Sequence, residues 1–238
     1  MQDTSSGPRA VRVDVGGTLW SQPVLNPVDR DSAEWRLSLV RAGVPEDRAA
    51  ELCRQLNRVI DRAVGASYFD VWEAIDEATG CANVTGIEAD RIRSASCLPA
   101  RAFTHLLPGA RALLTVLKAR RARIVIASNA IWRTEADYWA DFRSFELDGL
   151  IDVVASSVDI RWRKPSKGFF DLTLQRAGVP SKACLMIGNS ECFDIAPAKQ
   201  LGMSAIRVAI EEPMPLDSHA DSVSGSLQDL SRTNWTVD

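Results

Sequence analysis

Cysteine is sparse and unpatterned in this chain. Its five cysteines, Cys53, Cys81, Cys97, Cys184 and Cys192, form no CxxC pair, and their odd number argues against a disulfide framework and a structural zinc site alike. A reducing compartment fits that usage. No run of about 18 consecutive apolar residues occurs, which removes a membrane-spanning helix. The first ten residues, MQDTSSGPRA, are polar and lack the apolar stretch of a secretory signal, so the expectation is a soluble, cytoplasmic protein. Charge of one sign is also missing: 28 basic against 31 acidic residues leave a net charge of −3. Such a balance sets up no broad field for nucleic acid or an anionic membrane, and neither is expected as a partner. The two histidines, His105 and His219, belong to no motif and read as exposed or locally bonded. Internal repeats and low-complexity tracts are absent as well.

What is present is a patterned α/β sequence. At 238 residues the chain suits one core with a smaller insertion, as a monomer or homodimer. Short apolar, β-branched runs stand at 10–13, 124–127, 153–155, 184–187 and 205–208. Near-continuous runs separated by helical patterns predict a doubly wound parallel sheet covered on both faces. Their spacing is uneven, with about a hundred residues between the first two runs and far fewer between the rest. That gap is mostly helical. The stretch PEDRAAELCRQLNRVIDRAV places Leu52, Leu56, Val59, Ile60 and Ala63 on one face with acids in the first turn, and Phe69, Trp72 and Ile75 continue the pattern. A helical cap over residues 22–100, inserted into a core of 1–21 and 101–238, is therefore predicted. Pro108 is read as opening the helix that feeds the second strand. Residues 210–238 are read as a closing loop with a short helix at 227–230.

In open α/β sheets ligands bind at the carboxyl ends of the strands, and the polar residues of interest fall there. Asp14 ends the first run, Ser128 and Asn129 end the second, Lys164 follows the third, and Asn189 to Asp194 follow the fourth. Taken singly, an Asp at a strand end is a turn former or helix cap, and a Lys before Pro is a solvated charge. Their ordered recurrence at four strand ends is the stronger signal. Trp20, Trp132 and Trp162 flank three of these places and are read as core or rim packing.

The pieces DVGGTL, IASN, RKPSKGFF and IGNSECFDIAPAKQLGM, in this order between residue 10 and about 230, resemble the haloacid dehalogenase superfamily. The resemblance implies a Rossmann-like core with Asp14 as a nucleophile that forms an aspartyl intermediate and Thr18 orienting its loop. It further implies that Ser128, Asn129 and Gly17 bind the transferring group, while Lys164 neutralises charge on that group and on Asp14. Mg²⁺ would be held by Asp14, the Gly16 carbonyl, Asn189 and Asp194, hard oxygen donors for a hard cation.

Two departures matter. Gly16 replaces the second Asp with which phosphatases of the superfamily protonate the leaving oxygen, a function worth about 10² to 10⁴ in rate. Asn189 replaces the first metal-loop Asp, which predicts weakened Mg²⁺ binding unless Glu191 turns inward. Relatives that lack the second Asp frame the alternatives. Phosphonoacetaldehyde hydrolases need a cap lysine, and no lysine precedes Lys118. The 2-haloacid dehalogenases need no metal, use an Asp at the place matched by Asp194 to activate water, and require an Arg, for which Arg36 or Arg41 is available; their Tyr is missing here. The expectation is a Mg²⁺-dependent phosphatase of a small phosphorylated metabolite. A metal-independent dehalogenase-like hydrolase and a catalytically impaired binding protein are the alternatives.

Overall fold

Six parallel strands form one sheet in a computed structural model that describes residues 7–21, 32–210, 213–215 and 217–233. They are β1 (Ala10–Val13), β2 (Arg123–Ser128), β3 (Val153–Ser156), β4 (Cys184–Gly188), β5 (Ser204–Val208) and β6 (Ser222–Ser224), in the order β3-β2-β1-β4-β5-β6. Central β1 pairs Val11 with Ile124 on one side and Leu185 on the other. Alternation along each strand then decides the layers. Val11, Val13, Ile124, Ile126, Leu185 and Ile187 face one apolar cluster, whereas Val125, Ala127, Met186 and Ala205 face another. The doubly wound expectation holds because both faces are apolar and both are covered. The first cluster is closed by α5 (Ala110–Ala119), α6 (Glu135–Ser144) and α10 (Leu227–Arg232), the second by α7 (Ser157–Ile160), α8 (Lys167–Ala177) and α9 (Ala196–Gln200).

Between β1 and α5 lie α1 (Ala33–Arg41), α2 (Glu46–Gly65), α3 (Val71–Cys81) and α4 (Ala89–Ala95). The stripe read on α2 is buried as expected, Ala63 included, and Leu52, Leu56, Val59 and Ile60 lie inside a cluster separate from those of the sheet. Each such large side chain stabilises by roughly 1.5–3 kcal/mol. Residues 22–31 of the expected cap lie outside the described residues. The insertion docks on the loop after β2 and on the short helix Ser157–Ile160 after β3, since Trp132 and Val158 join its cluster. Its seam is also tied by backbone bonds from Phe69 N–H to the Arg161 carbonyl (2.8 Å) and from Arg163 N–H to the Ser67 carbonyl (2.9 Å).

Two local expectations are corrected. Pro108 does not open α5: the helix begins at Ala110, capped by Gly109 at φ 89°. A Cβ at Gly109 would lie 2.4 Å from the Gln228 backbone nitrogen, so glycine lets α10 approach as well as supplying the turn. The tail contains a sixth strand, β6, where only a loop and a helix were expected; α10 itself begins at the expected Leu227.

Candidate active site

Asp14 is placed by the sheet. Its N–H donates to the Ile187 carbonyl (2.9 Å), which extends the β1–β4 ladder by one residue before the chain turns. The turn is built by Gly17 at φ 72°, a left-handed conformation that favours glycine. Thr18 is fully buried beneath it, with Oγ1 at 3.4 Å from Asp14 Oδ2.

Lys164 joins two carboxylates. Its Nζ donates to Asp14 Oδ1 and to Asp194 Oδ1, at 2.6 Å each, and all three side chains are nearly buried. Asn129 holds the lysine from behind: its Oδ1 accepts from Lys164 N–H (2.8 Å) and its Nδ2 donates to the Lys164 carbonyl (2.9 Å). Asp194 sits directly on Gly188, where a Cβ would come within 2.5 Å of its carboxyl carbon. Its Oδ2 accepts from Ser190 N–H at 3.1 Å. The short π-turn Glu191–Ile195, capped by Ser190, delivers Asp194 to that spot.

A cavity of about 520 Å³ opens on this cluster, and Asp14, Gly16, Ser128, Asn129, Lys164, Asn189 and Asp194 all line it. Every expected site residue except Gly17 and Thr18 therefore borders one space. Thr18 acts from below. Gly17 shapes the turn: its N–H donates to the Trp20 carbonyl (2.8 Å). Glu191 also lines the cavity but does not turn to the metal loop. It takes bonds from Ser218 (2.7 Å) and His219 (2.8 and 3.0 Å) and pairs with Arg207 (3.3 Å). Burial pushes its carboxyl up, yet the bonds from Ser218 and His219 outweigh that and bring it down to about 2. Arg36 is half-buried and Arg41 exposed, and neither borders the cavity, whose described lining comes wholly from the core.

The charges explain the burial. Burial alone lowers the Lys164 ammonium, but Asp14 and Asp194 more than reverse this and hold it charged. Burial raises Asp194 above the ordinary carboxylate range, opposed by Lys164 and aided by the like charge of Asp14. Oxygen donors of the right kind for Mg²⁺ are present in Asp14, Gly16, Asn189 and Asp194, but only two carry charge and both share one ammonium. Among the described residues no three acidic, histidine or cysteine side chains are grouped to hold a metal. The donor set fits Mg²⁺ in hardness and fits it weakly in charge.

Sequence reasoning missed three residues. Arg12, fully buried on β1, lies over the Phe170 ring at 4.5 Å and bonds Thr173 and the Met203 sulfur, with Nε unpartnered among the described residues. Burial brings its guanidinium down to about 10, against the pull of Cys184 and Asp194. Arg207 on β5 fixes the Asn189 carbonyl through Nε at 3.2 Å. Tyr138 on α6 reaches Ser128 Oγ at 2.6 Å. A lone arginine within AVRV and a tyrosine ten residues from its partner leave no spacing signal.

Residues 8–202 match the haloacid dehalogenase-like hydrolase family. This chain belongs to that family. Its core is the six-stranded parallel sheet described above. The chain is 30% identical over 110 residues to a glyceraldehyde 3-phosphate phosphatase of Methanothermobacter thermautotrophicus, and the match takes in 46% of this chain and 47% of that protein. It therefore spans about half the length of that relative. It is 27% identical over 158 residues to an (S)-2-haloacid dehalogenase of Burkholderia cepacia, covering 65% of this chain and 66% of the relative. A solved haloacid dehalogenase superfamily phosphatase of Thermococcus onnurineus superposes with a TM-score of 0.64 at 19% identity, over 94% of this chain and 96% of that one. That likeness speaks for the fold alone.

Proposed function

We propose that this hydrolase is a phosphatase of a small phosphorylated metabolite, acting through an aspartyl ester on Asp14, with residues 22–100 serving as a cap that selects the substrate. The arrangement of Asp14 carries this reading. Lys164 fixes Oδ1 at 2.6 Å, while among the described residues Oδ2 keeps only a long contact to Thr18 at 3.4 Å. One oxygen is thus held for orientation and the other left for attack. Oδ2 forms the new bond to phosphorus as the bond to the leaving oxygen breaks. Lys164 and the Ser128 hydroxyl stand at the same cavity to offset charge on the transferring oxygens. Water then cleaves the ester and returns the Asp14 carboxylate. Asp14, the Gly16 carbonyl, Asn189 and Asp194 would hold Mg²⁺, which supplies further neutralisation of the phosphoryl group when bound. The likeness to a glyceraldehyde 3-phosphate phosphatase supports the phosphoryl substrate.

A second reading has an observation of its own. Gly16 offers no proton to a leaving group and Asn189 offers no charge to a metal, and a departing halide requires neither. Hydrolysis of a carbon–halogen bond through the same Asp14 ester is that alternative, in keeping with the dehalogenase relative.

The experiment is a screen of phosphorylated metabolites and short 2-haloacids, each with Mg²⁺ and with EDTA. Phosphate release that requires Mg²⁺ and falls at least 10³-fold in Asp14→Asn, an isosteric change that removes the nucleophile, is the expected outcome. Halide release that survives EDTA would replace the phosphatase reading by the second one. Unchanged turnover in Asp14→Asn would end both.

A further inference from the structure

The residue at the cavity wall whose proton direction matters most is Ser128, and its hydroxyl has a partner that no motif contains. Tyr138 is buried, and its ring packs in a three-ring cluster with Trp20 and Phe142, whose centroids are 5.9 and 6.1 Å away. Its hydroxyl ends 2.6 Å from Ser128 Oγ, and no other hydrogen-bond partner meets it among the described residues. Either oxygen can donate by geometry. Acidity decides between them, because a phenol ionises near pH 10 and an aliphatic hydroxyl far above it. The phenol is the stronger donor, and the packed ring has no second acceptor to turn toward.

We infer that Tyr138 is a positioning residue: it donates its O–H to Ser128 Oγ and so directs the Ser128 proton into the cavity, where it meets the anionic group transferred to Asp14. This inference rests on the Asp14 ester reading. Donation into Ser128 Oγ occupies a lone pair and leaves the serine O–H free for another acceptor. It also polarises that O–H, since linked hydrogen bonds reinforce one another. Burial supports the direction independently: it pushes the Tyr138 phenol up to about 12, so the ring keeps its proton at any working pH. The arrangement provides a neutral donor beside Lys164 in a site where Gly16 and Asn189 have removed two carboxylates.

The test is a double-mutant cycle on the binding of inorganic phosphate, measured by isothermal titration for wild type, Tyr138→Phe, Ser128→Ala and the double variant. Tyr138→Phe keeps the ring and its stacking and removes one hydroxyl. It should weaken phosphate binding about tenfold, as loss of one directed hydrogen bond to an anion does. Ser128→Ala should weaken it at least as much. In the double variant the loss should stay within about twofold of Ser128→Ala alone, because the tyrosine acts only through the serine. A purely structural tyrosine would lower the melting temperature and add its effect to that of Ser128→Ala.

A second readout needs no truncation. The chain has two tyrosines, Tyr68 and Tyr138, so fluorotyrosine incorporated into a Tyr68→Phe background reports on Tyr138 alone. Its fluorine resonance should move on phosphate binding, and its more acidic phenol should tighten that binding. Additive losses, undiminished affinity in Tyr138→Phe, a silent fluorine signal, or failure of the wild type to bind phosphate would each overturn the inference. The Asp14→Asn turnover result judges the phosphatase reading separately.

Discussion

Gly16 is sterically open. A Cβ built there meets nothing within 4 Å, and its backbone is not left-handed, unlike that of Gly17. Gly16→Asp is therefore expected to fold and to place a carboxylate beside the leaving group. If proton transfer limits turnover, the variant gains on a poor leaving group some part of the 10² to 10⁴ that a positioned acid supplies, and gains far less on nitrophenyl phosphate. Equal gains on both substrates would assign the effect to binding instead. Asn189→Asp acts on a different step: the Mg²⁺ concentration for half-maximal activity should fall as charge is added to a hard-cation site. At this scale the sequence put Asp14, Lys164 and Asp194 after apolar strands, and the fold brings their side chains together because all strands of a parallel sheet end on one side. The use made of Asn129 was not legible. Both ends of its side chain bond the Lys164 backbone, 35 residues away, and IASN carries no trace of that partner.

Helix α2 was readable because its buried stripe repeats every three or four residues over 20 residues. Strand β6 was not, because SVS is three residues long at the sheet edge and none of its side chains is fully buried. What fixes the segment leading into β6 is long-range and electrostatic. Glu191, on the π-turn, receives Ser218 and His219 and pairs with Arg207 of β5. Its carboxyl is lowered from 4.5 to about 2 in the folded chain, so between those values the unfolded chain binds more protons. The stability it contributes is present above about pH 4.5 and is lost as pH falls toward about 2. Glu191→Gln should melt lower than wild type at pH 6, and the gap should close as the pH is taken down through this window. A gap that stays constant with pH would mean that the carboxylate charge does not hold this segment.

At the scale of the whole molecule, a buried guanidinium is one of the ties between the inserted helices and the sheet core. Arg93 of α4 is nearly buried and donates from Nη1 to the Trp132 carbonyl and to Asp137 Oδ2 (2.7 Å), and from Nε to Asp90 Oδ1 (2.8 Å). Asp137 in turn closes the capping box of α6 with Thr134. The same seam contains the Trp35–Trp132 pair at 6.5 Å, in a cluster to which insertion and core both contribute. A shared apolar cluster should make the two parts unfold in a single transition. Arg93→Met keeps much of the buried stem but leaves the Trp132 carbonyl and Asp137 short of a donor at the seam. That should cost about 2 kcal/mol, less than for a fully buried pair because Asp137 is partly exposed and keeps Thr134. For a chain of this size the melting temperature would drop by roughly 4–8 °C. The near-UV circular dichroism of the tryptophan pair and the far-UV signal should fall together at that lowered midpoint. An unchanged melting temperature would show that apolar packing alone carries the seam, and two separate transitions in the wild type would show that insertion and core are not one cooperative unit.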